Sequence, residues 1–260
     1  MNITLNITAD EVNIHTSEVN TPVETGINLD DLLCSDGICR PEEEKTEDYL
    51  DDLMEDLLET VEAGELTADE EMFLGGSGNT ELEVGDIVTM KFFGKPTVFR
   101  VVHKNYATDG KVVLMPEGIE IFHIFNKLYS NDYTESDMRD YLNRVALRGF
   151  HPLIQNAIVE TPVECFVDGE IKTVHDKLWL PSYTEVGFGG SSYAPKEGKP
   201  FDYFDTNEKR KKVGSEWEKY WWLRTPHSNN TGNAWSVITD GTADYNDTTG
   251  DYGVVPAFEI

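Results

Sequence analysis

The residue types able to do chemistry are present in this chain, but their spacing works against most of the chemistries they could serve. His103, His123, His151, His175 and His227 stand singly along the sequence. A metal site needs His, Cys or carboxylate ligands that converge at close spacing, so each is read as a surface or packing histidine. Asp240, Asp244, Asp247 and Asp251 carry oxygen donors of the kind calcium takes. They lack the fixed D-x-D-x-D-G register of a calcium loop, and no metal site is expected. Cys165, His175 and Asp176 include the groups of a nucleophile, a base and an orienter. Cys165, however, lies in the strand-like Val163-Glu164-Cys165-Phe166, where a buried inert thiol is the default. The Gly-rich stretches at Gly75 and Gly187 lack the following Lys-Ser/Thr of a phosphate loop and read as linker and turn. A hydrolase is therefore poorly supported; no catalytic residue and no cofactor is assigned, and a non-enzymatic protein is expected.

What remains is the chemistry of contact. Of the 27 residues from His227 to Gly253, 21 are Asn, Asp, Ser, Thr, Tyr or Gly, and none is Lys, Arg, Glu or Gln. Tyr supplies rigid amphipathic area at low entropic cost, and Ser, Asn and Gly supply adaptable hydrogen bonding, which is the composition of an antibody-like contact surface. The same residues also serve tight turns. The flanks shift the balance. Tyr220, Trp221, Trp222 and Leu223 precede the stretch, and Val254, Val255, Ala257, Phe258 and Ile260 follow it, apolar runs of strand length. A polar loop run held between buried strands is how contact residues are displayed on a scaffold. The candidate ligand-binding set is His227, Ser228, Asn229, Asn230, Thr231, Asn233, Asp244, Tyr245, Asn246, Asp247, Asp251 and Tyr252, with Trp221, Trp222, Trp235 and Phe258 as core or framework.

The elements that must position this set follow from periodicity. Val84–Phe93 and Thr97–Val102 read as a hairpin across Gly94-Lys95-Pro96, residues 112–115 as a strand, and Ser136–Arg148 as a helix capped by Ser136. Short strands and turns over 158–190 complete an α+β pattern. Ahead of it, residues 3–14 read as one short strand, 21–44 carry no periodicity, and 46–63 repeat apolar residues at helical spacing from Tyr49 to Val61. Such an amphipathic helix is marginal alone and needs a partner: its own domain, a second copy, or an assembly protein. Gly75, Gly76, Ser77 and Gly78 suggest a hinge. The expected organisation is an acidic, partly disordered arm over 1–74 with helix 46–63, a Gly-rich linker over 75–81, and a ligand-binding domain over 82–260.

The motifs VGDIV (84–88), FRVVHK (99–104), the run Tyr133–Asn143, DKLWLPSYTEVGF (176–188), WWLRTP (221–226), V-x-x-x-G (237–241) and terminal GVVPAF resemble an uncharacterised domain family of gut Firmicutes and their phages. Val255 stands where that family usually has Arg. The resemblance, over roughly 82–260, implies a C-type-lectin-like fold similar to formylglycine-generating enzyme. It also implies likeness to the variable proteins of diversity-generating retroelements, in which Asn-type codons of one C-terminal stretch are diversified. The stretch 227–253 fits the residue palette of that process except at Trp235. The oxidase that gives the fold its name uses paired C-terminal cysteines, and none follows Cys165.

Charge bounds the partners. Residues 1–80 hold 22 acidic and 2 basic residues, and most of the net −28 lies there. Such a chain repels nucleic acid and anionic lipid, so neither is expected as a partner. There is no basic region followed by an apolar run at the start and no stretch of membrane-spanning length, which places the protein in the cytoplasm or in a virion. Three cysteines make no disulfide framework; a Cys34–Cys39 bridge is open by spacing, but reduced thiols fit the compartment better. The expected function is recognition of a protein or glycan ligand, a host surface included. The alternative is a virion or surface-assembly protein whose arm, through helix 46–63, docks into a larger complex or forms a homo-oligomer.

Overall fold

The computed structural model describes residues 2–8, 11–17, 25–28, 65–75, 82–212 and 220–260. Helix 46–63, Cys34, Cys39 and the linker beyond Gly75 lie outside the described residues. The chain divides into two compact units, 1–57 and 58–260. The first holds strands β1 (Asn2–Thr8), β2 (Glu11–Ser17) and β3 (Thr25–Asn28) in an antiparallel sheet of that order. One strand is expected over 3–14, and two are found. The apolar residues Ile3, Leu5 and Ile7 are odd-numbered whereas Val12 and Ile14 are even-numbered, and that change of parity marks a reversal. The register sets Leu5 opposite Ile14 and Ile7 opposite Val12. β3 falls in the stretch read as aperiodic.

The second unit is mixed α+β, mostly strands with few helices. It begins with α1 (Ala68–Leu74), which the sequence reading places in the arm. The division of the chain falls between residues 57 and 58. α1 carries a capping box: Glu70 N donates to the Thr67 hydroxyl, and Thr67 N donates to the Glu70 carboxylate. It docks on β4 (Ile87–Phe92), the outer strand of a four-stranded antiparallel sheet ordered β14-β6-β5-β4. The other strands of that sheet are β5 (Lys95–Lys104), β6 (Val112–Pro116) and β14 (Phe258–Glu259). The unpaired edge of β4 is satisfied by α1: Thr89 N donates to Asp69 at 2.6 Å and Lys91 N to Glu70 at 2.9 Å. Phe73 enters the core beneath. An exposed sheet edge invites pairing with other chains, and here a helix covers it.

The expected hairpin forms, with its turn at Phe93-Gly94, both at positive φ (47° and 71°), while Lys95 and Pro96 are already in β5. After β7 (Ile121–Ile124) comes α2 (Asp137–Arg144), capped by Ser136, whose hydroxyl accepts from Arg139 N at 3.1 Å. Met138 and Leu142 point into the core as their spacing requires. The helix ends sooner than expected, and a 3-10 turn over Ala146–Gly149 follows. Next are α3 (Pro152–Ala157) and the hairpin of β8 (Thr161–Val167) with β9 (Glu170–Asp176).

A short α4 (Asn207–Arg210) precedes the C-terminal strands β10 (Trp221–Pro226), β11 (Asn233–Val237), β12 (Ala243–Asp247) and β13 (Asp251–Val254). With β7 they form a sheet ordered β12-β11-β10-β13-β7, parallel only between β10 and β13. About half of the polar segment 227–253 is thus strand where loops were expected. β11 and β12 form a regular hairpin, with Ala234 and Ser236 buried on one face of β11 and Val237 buried on the other. At Gly253 a Cβ would meet the Tyr220 carbonyl at 2.7 Å, so this close passage of β13 beside β10 requires glycine. The core joins an aromatic cluster of Phe92, Phe99, Phe150 and Phe258 to fully buried Trp179, Trp221 and Trp222.

Candidate functional site

The platform under the polar segment is a buried ionic and hydrogen-bonded centre. Arg224, in the WWLRTP run, lies fully buried against the equally buried Glu185 of the TEVGF run. Two parallel hydrogen bonds join them, and further bonds run from the guanidinium to the carbonyls of Glu164 and Leu180, both at 2.9 Å. The Glu185 carboxylate also accepts from Ser182 N at 2.9 Å and from the Tyr106 hydroxyl at 2.5 Å. Burial pushes the Tyr106 phenol well above its usual range. Beside this pair, Glu197 accepts from Phe166 N at 2.6 Å and from the Thr225 hydroxyl. Burial pushes its carboxyl up to about 7, against the opposing pull of Arg224. A buried charge pair persists when its remaining donors and acceptors are matched, as they are here. The sequence blocks 176–188 and 221–226 are thus the two halves of one clamp.

The reactive alternatives can be placed. Cys165 and His175 lie on opposite faces of the β8–β9 hairpin: Cys165 faces inward and pairs in register with Lys172, while His175 opposes Pro162 and is exposed. Burial pushes the thiol up to about 12. Asp176 is engaged by Arg139 through bonds of 2.8 and 3.0 Å. The C-terminal aspartates are occupied in turns: Asp240 accepts from Thr242 N and hydroxyl, and Asp247 from Thr249 N and hydroxyl. Among the described residues no three His, Cys, Asp or Glu side chains gather as a metal ligand set.

The twelve candidate contact residues separate by exposure. Ser228, Asn229, Asn230, Thr231, Asp244, Tyr245, Asp247 and Asp251 are exposed, whereas His227, Asn233, Asn246 and Tyr252 are partly buried. Tyr252 is not an outward anchor: its ring meets Trp222 edge-on at 4.9 Å and stacks on Tyr220 at 6.1 Å, because alternation along β13 turns it to the Trp222 side. Asn246 is tied to Ser236 at 2.7 Å. Asp251 lies on β13 opposite Ile124 of β7, two strands away from the β11–β12 hairpin.

His227, Trp235 and Tyr245 meet on one face of that hairpin. The His227 ring lies 4.4 Å from Tyr245 and 5.8 Å from Trp235, and Trp235 stands directly opposite Tyr245 in the register. Tyr193 joins them from a separate loop, parallel to His227 at 5.5 Å and 7°. Its position is fixed through its carbonyl, which accepts from Trp235 Nε1 at 3.1 Å and from Ser228 N at 3.0 Å. Behind Trp235, Tyr183 and Phe188 continue the cluster inward. Tyr193 and Tyr245 are 49% and 46% exposed. The loop 227–233 is braced by Asn131, whose side-chain amide donates to the carbonyls of Asn230 and Asn233 at 2.9 and 2.7 Å. Tyr129 packs over Gly232 at its rim, half exposed, next to the exposed Leu128.

Tyr193, Trp235 as a half-exposed member, Tyr129 and Asn131 are absent from the sequence-derived set. A tyrosine in the Gly-Gly-Ser-Ser-Tyr run was a signal for the first, since a polar loop gives its ring no core of its own. For Asn131 there was none.

The fold and this face define a class: a strand-rich α+β domain whose ion-paired interior carries an aromatic and carboxamide surface near the C-terminus. The chain belongs to the family described as domain of unknown function (DUF6273), whose model matches residues 109–260. That span contains the clamp and the whole aromatic face, and leaves α1, β4 and β5 ahead of it. No curated protein and no solved structure matches the chain. No described helix is long and apolar enough to cross a membrane.

Proposed function

We propose that this protein is a non-enzymatic recognition protein that presents the β11–β12 face and the adjoining loops 191–194 and 227–233 to a macromolecular ligand. The observation that carries the reading is the pairing of two half-exposed tyrosines with a backbone held from beneath. Tyr193 and Tyr245 project from a loop and a strand that are held by the Trp235 Nε1 bond to the Tyr193 carbonyl and by the β11–β12 register. Rigid aromatic anchors flanked by adaptable amides and hydroxyls bind at low entropic cost. Exposed positions at 228–231, 244, 245 and 247 surround buried Ser236, Thr248 and Gly253. That separation is what a surface open to diversification needs, and it supports the likeness to retroelement variable proteins and phage receptor-binding proteins. The C-type-lectin-like fold is part of the same proposal, supported by the mixed α+β pattern and by polar segments set between buried strands.

A library randomised at the exposed residues 228–231, 244, 245 and 247, displayed on yeast, tests it. The expected result is that most members remain folded and that selections against unrelated proteins yield binders. A library that largely unfolds would show these residues to be structural. A reverse transcriptase and a near-copy of the 3′ coding region beside the gene would support the diversification reading. The alternative, docking into a virion or surface assembly, is favoured by one observation: residues 1–57 form a separate compact unit. That unit, expressed alone, would then co-assemble with the complex.

A further inference from the structure

We infer that the aromatic face takes a cationic ligand, an arginine-rich peptide segment; the inference rests on the recognition reading above and names its ligand class. The rings of Tyr193 and Tyr245 are half exposed, with His227 between them and Trp235 against Tyr245 at 5.7 Å. Open tyrosine faces attract a cation through the ring quadrupole. Asp247 lies two residues beyond Tyr245 on β12 and therefore on the same face of the strand. Its Oδ1 accepts from Thr249 N and hydroxyl at 2.9 and 2.7 Å, and its Oδ2 has no partner among the described residues. The segment 227–253 contains four aspartates and neither Lys nor Arg. Such a field repels anions and draws cations in.

Arginine fits better than lysine, because a planar guanidinium can lie on a ring and fork to a carboxylate at the same time. The protein contains this unit internally. Arg100 sits 5.3 Å over the Tyr203 ring while its Nε and Nη2 donate to the two Glu117 carboxylate oxygens, each at 2.8 Å. Tyr245 and Asp247 likewise set a ring and a carboxylate on one strand face, the carboxylate through its Oδ2.

The test is fluorescence anisotropy with labelled peptides of Arg-Gly-Ser, Lys-Gly-Ser and Gln-Gly-Ser repeats at low and high salt, with maltohexaose and chitohexaose as neutral competitors. The full chain is compared with Tyr245→Ala, Asp247→Asn and Asp240→Asn; the last removes an equal charge from a turn off this face. The arginine peptide should bind more tightly than the lysine one, the glutamine peptide should not bind, and salt should weaken the complex. Tyr245→Ala should weaken binding by about tenfold. Asp247→Asn should weaken it by several-fold, and Asp240→Asn by less than about twofold at matched salt. Equal losses for Asp247→Asn and Asp240→Asn with none for Tyr245→Ala would reduce the effect to net charge and overturn the inference. Binding of a hexaose, lost in Tyr245→Ala, without binding of the arginine peptide would also overturn it while leaving the recognition reading intact. Binding of no probe would overturn it as well, and the randomised library then judges the recognition reading separately.

Discussion

Arg224 and Glu185 face each other without solvent, Nη1 to Oε2 at 2.6 Å and Nη2 to Oε1 at 2.7 Å, across 39 residues of sequence. This pair fixes β10 against the turn 182–187, and β10 leads directly into the loop that begins at His227. The β11–β12 hairpin and its loop are thus joined through β10 to a charge pair that solvent cannot reach. Replacing Arg224 with Met leaves Glu185 charged, buried and unpaired, which should cost about 3–5 kcal/mol. Urea unfolding of the variant checks this; a loss below about 1 kcal/mol would show that the clamp does not hold the domain.

Glu197 predicts a pH dependence of definite sign. Its carboxyl is pushed up to about 7 by burial, so between the ordinary glutamate value and about 7 the folded state keeps a proton that the unfolded state has lost. Stability from this group therefore falls as pH rises through that window and levels off above it. Glu197→Gln should flatten the fall, a difference of order 3 kcal/mol between the two profiles. Parallel melts of both proteins from pH 4.5 to 8 measure it, and identical profiles would count against the assignment.

The glycine of the V-x-x-x-G motif has a steric cause. Gly241 has φ +80°, and a Cβ there would lie 1.9 Å from the Asn207 carbonyl. Gly241→Ala should shift α4 or the β11–β12 turn and cost more than the roughly 1 kcal/mol of ordinary backbone strain. A variant with an unchanged melting temperature would contradict the placement of α4 against that turn.

Truncation distinguishes the unit boundary from the Gly-rich segment. A chain beginning at residue 65 keeps Thr67, Asp69, Glu70 and Phe73 on β4 and should melt close to the full-length protein. A chain beginning at residue 82 loses a buried phenylalanine and two carboxylate bonds to the β4 edge, and should be several kcal/mol less stable and prone to aggregation. Equal melting of both would show that α1 contributes nothing.

Much of the second unit was legible because burial enforces periodicity. Met138 and Leu142 at helical spacing, the apolar Trp221–Leu223 run and the inert Cys165 needed only local rules. Non-local partners were not legible. The sequence shows the WLRTP and TEVGF blocks, but nothing in either says that Arg224 meets Glu185. The Thr67-x-x-Glu70 capping box was readable, and the acidity around it masked a helix that belongs to the domain. In the polar stretch composition predicted contact surface, but a two-residue period hides inside it. Ala234, Ser236 and Tyr252 turn one way and Trp235 and Tyr245 the other, so strands form where loops were expected. Tyr193 lies 34 residues before His227 and reaches the face only through the tertiary fold.

The same alternation sets the roles of the two tyrosines of the C-terminal segment apart. Trp222→Ala should cost about 3–5 kcal/mol, because its ring is fully buried and its Nε1 donates to the His123 carbonyl at 3.0 Å. Tyr252→Ser, which removes a ring packed on Trp222, should cost about 1–2 kcal/mol. Tyr245→Ser should cost almost nothing. Thermal melts of the three variants rank them, and a Tyr245 variant less stable than the Tyr252 variant would invert the assignment of surface and core.

The most direct test of the central claim is a paired measurement on the Tyr193→Ala/Tyr245→Ala double variant: its melting temperature and its binding, by biolayer interferometry, to a panel of peptides and glycans that the unaltered chain captures. If this face is the recognition surface, the melting temperature stays within about 2 °C and affinity falls by more than about tenfold across the captured ligands. Undiminished binding by a fully folded double variant would place the ligand elsewhere and contradict the account.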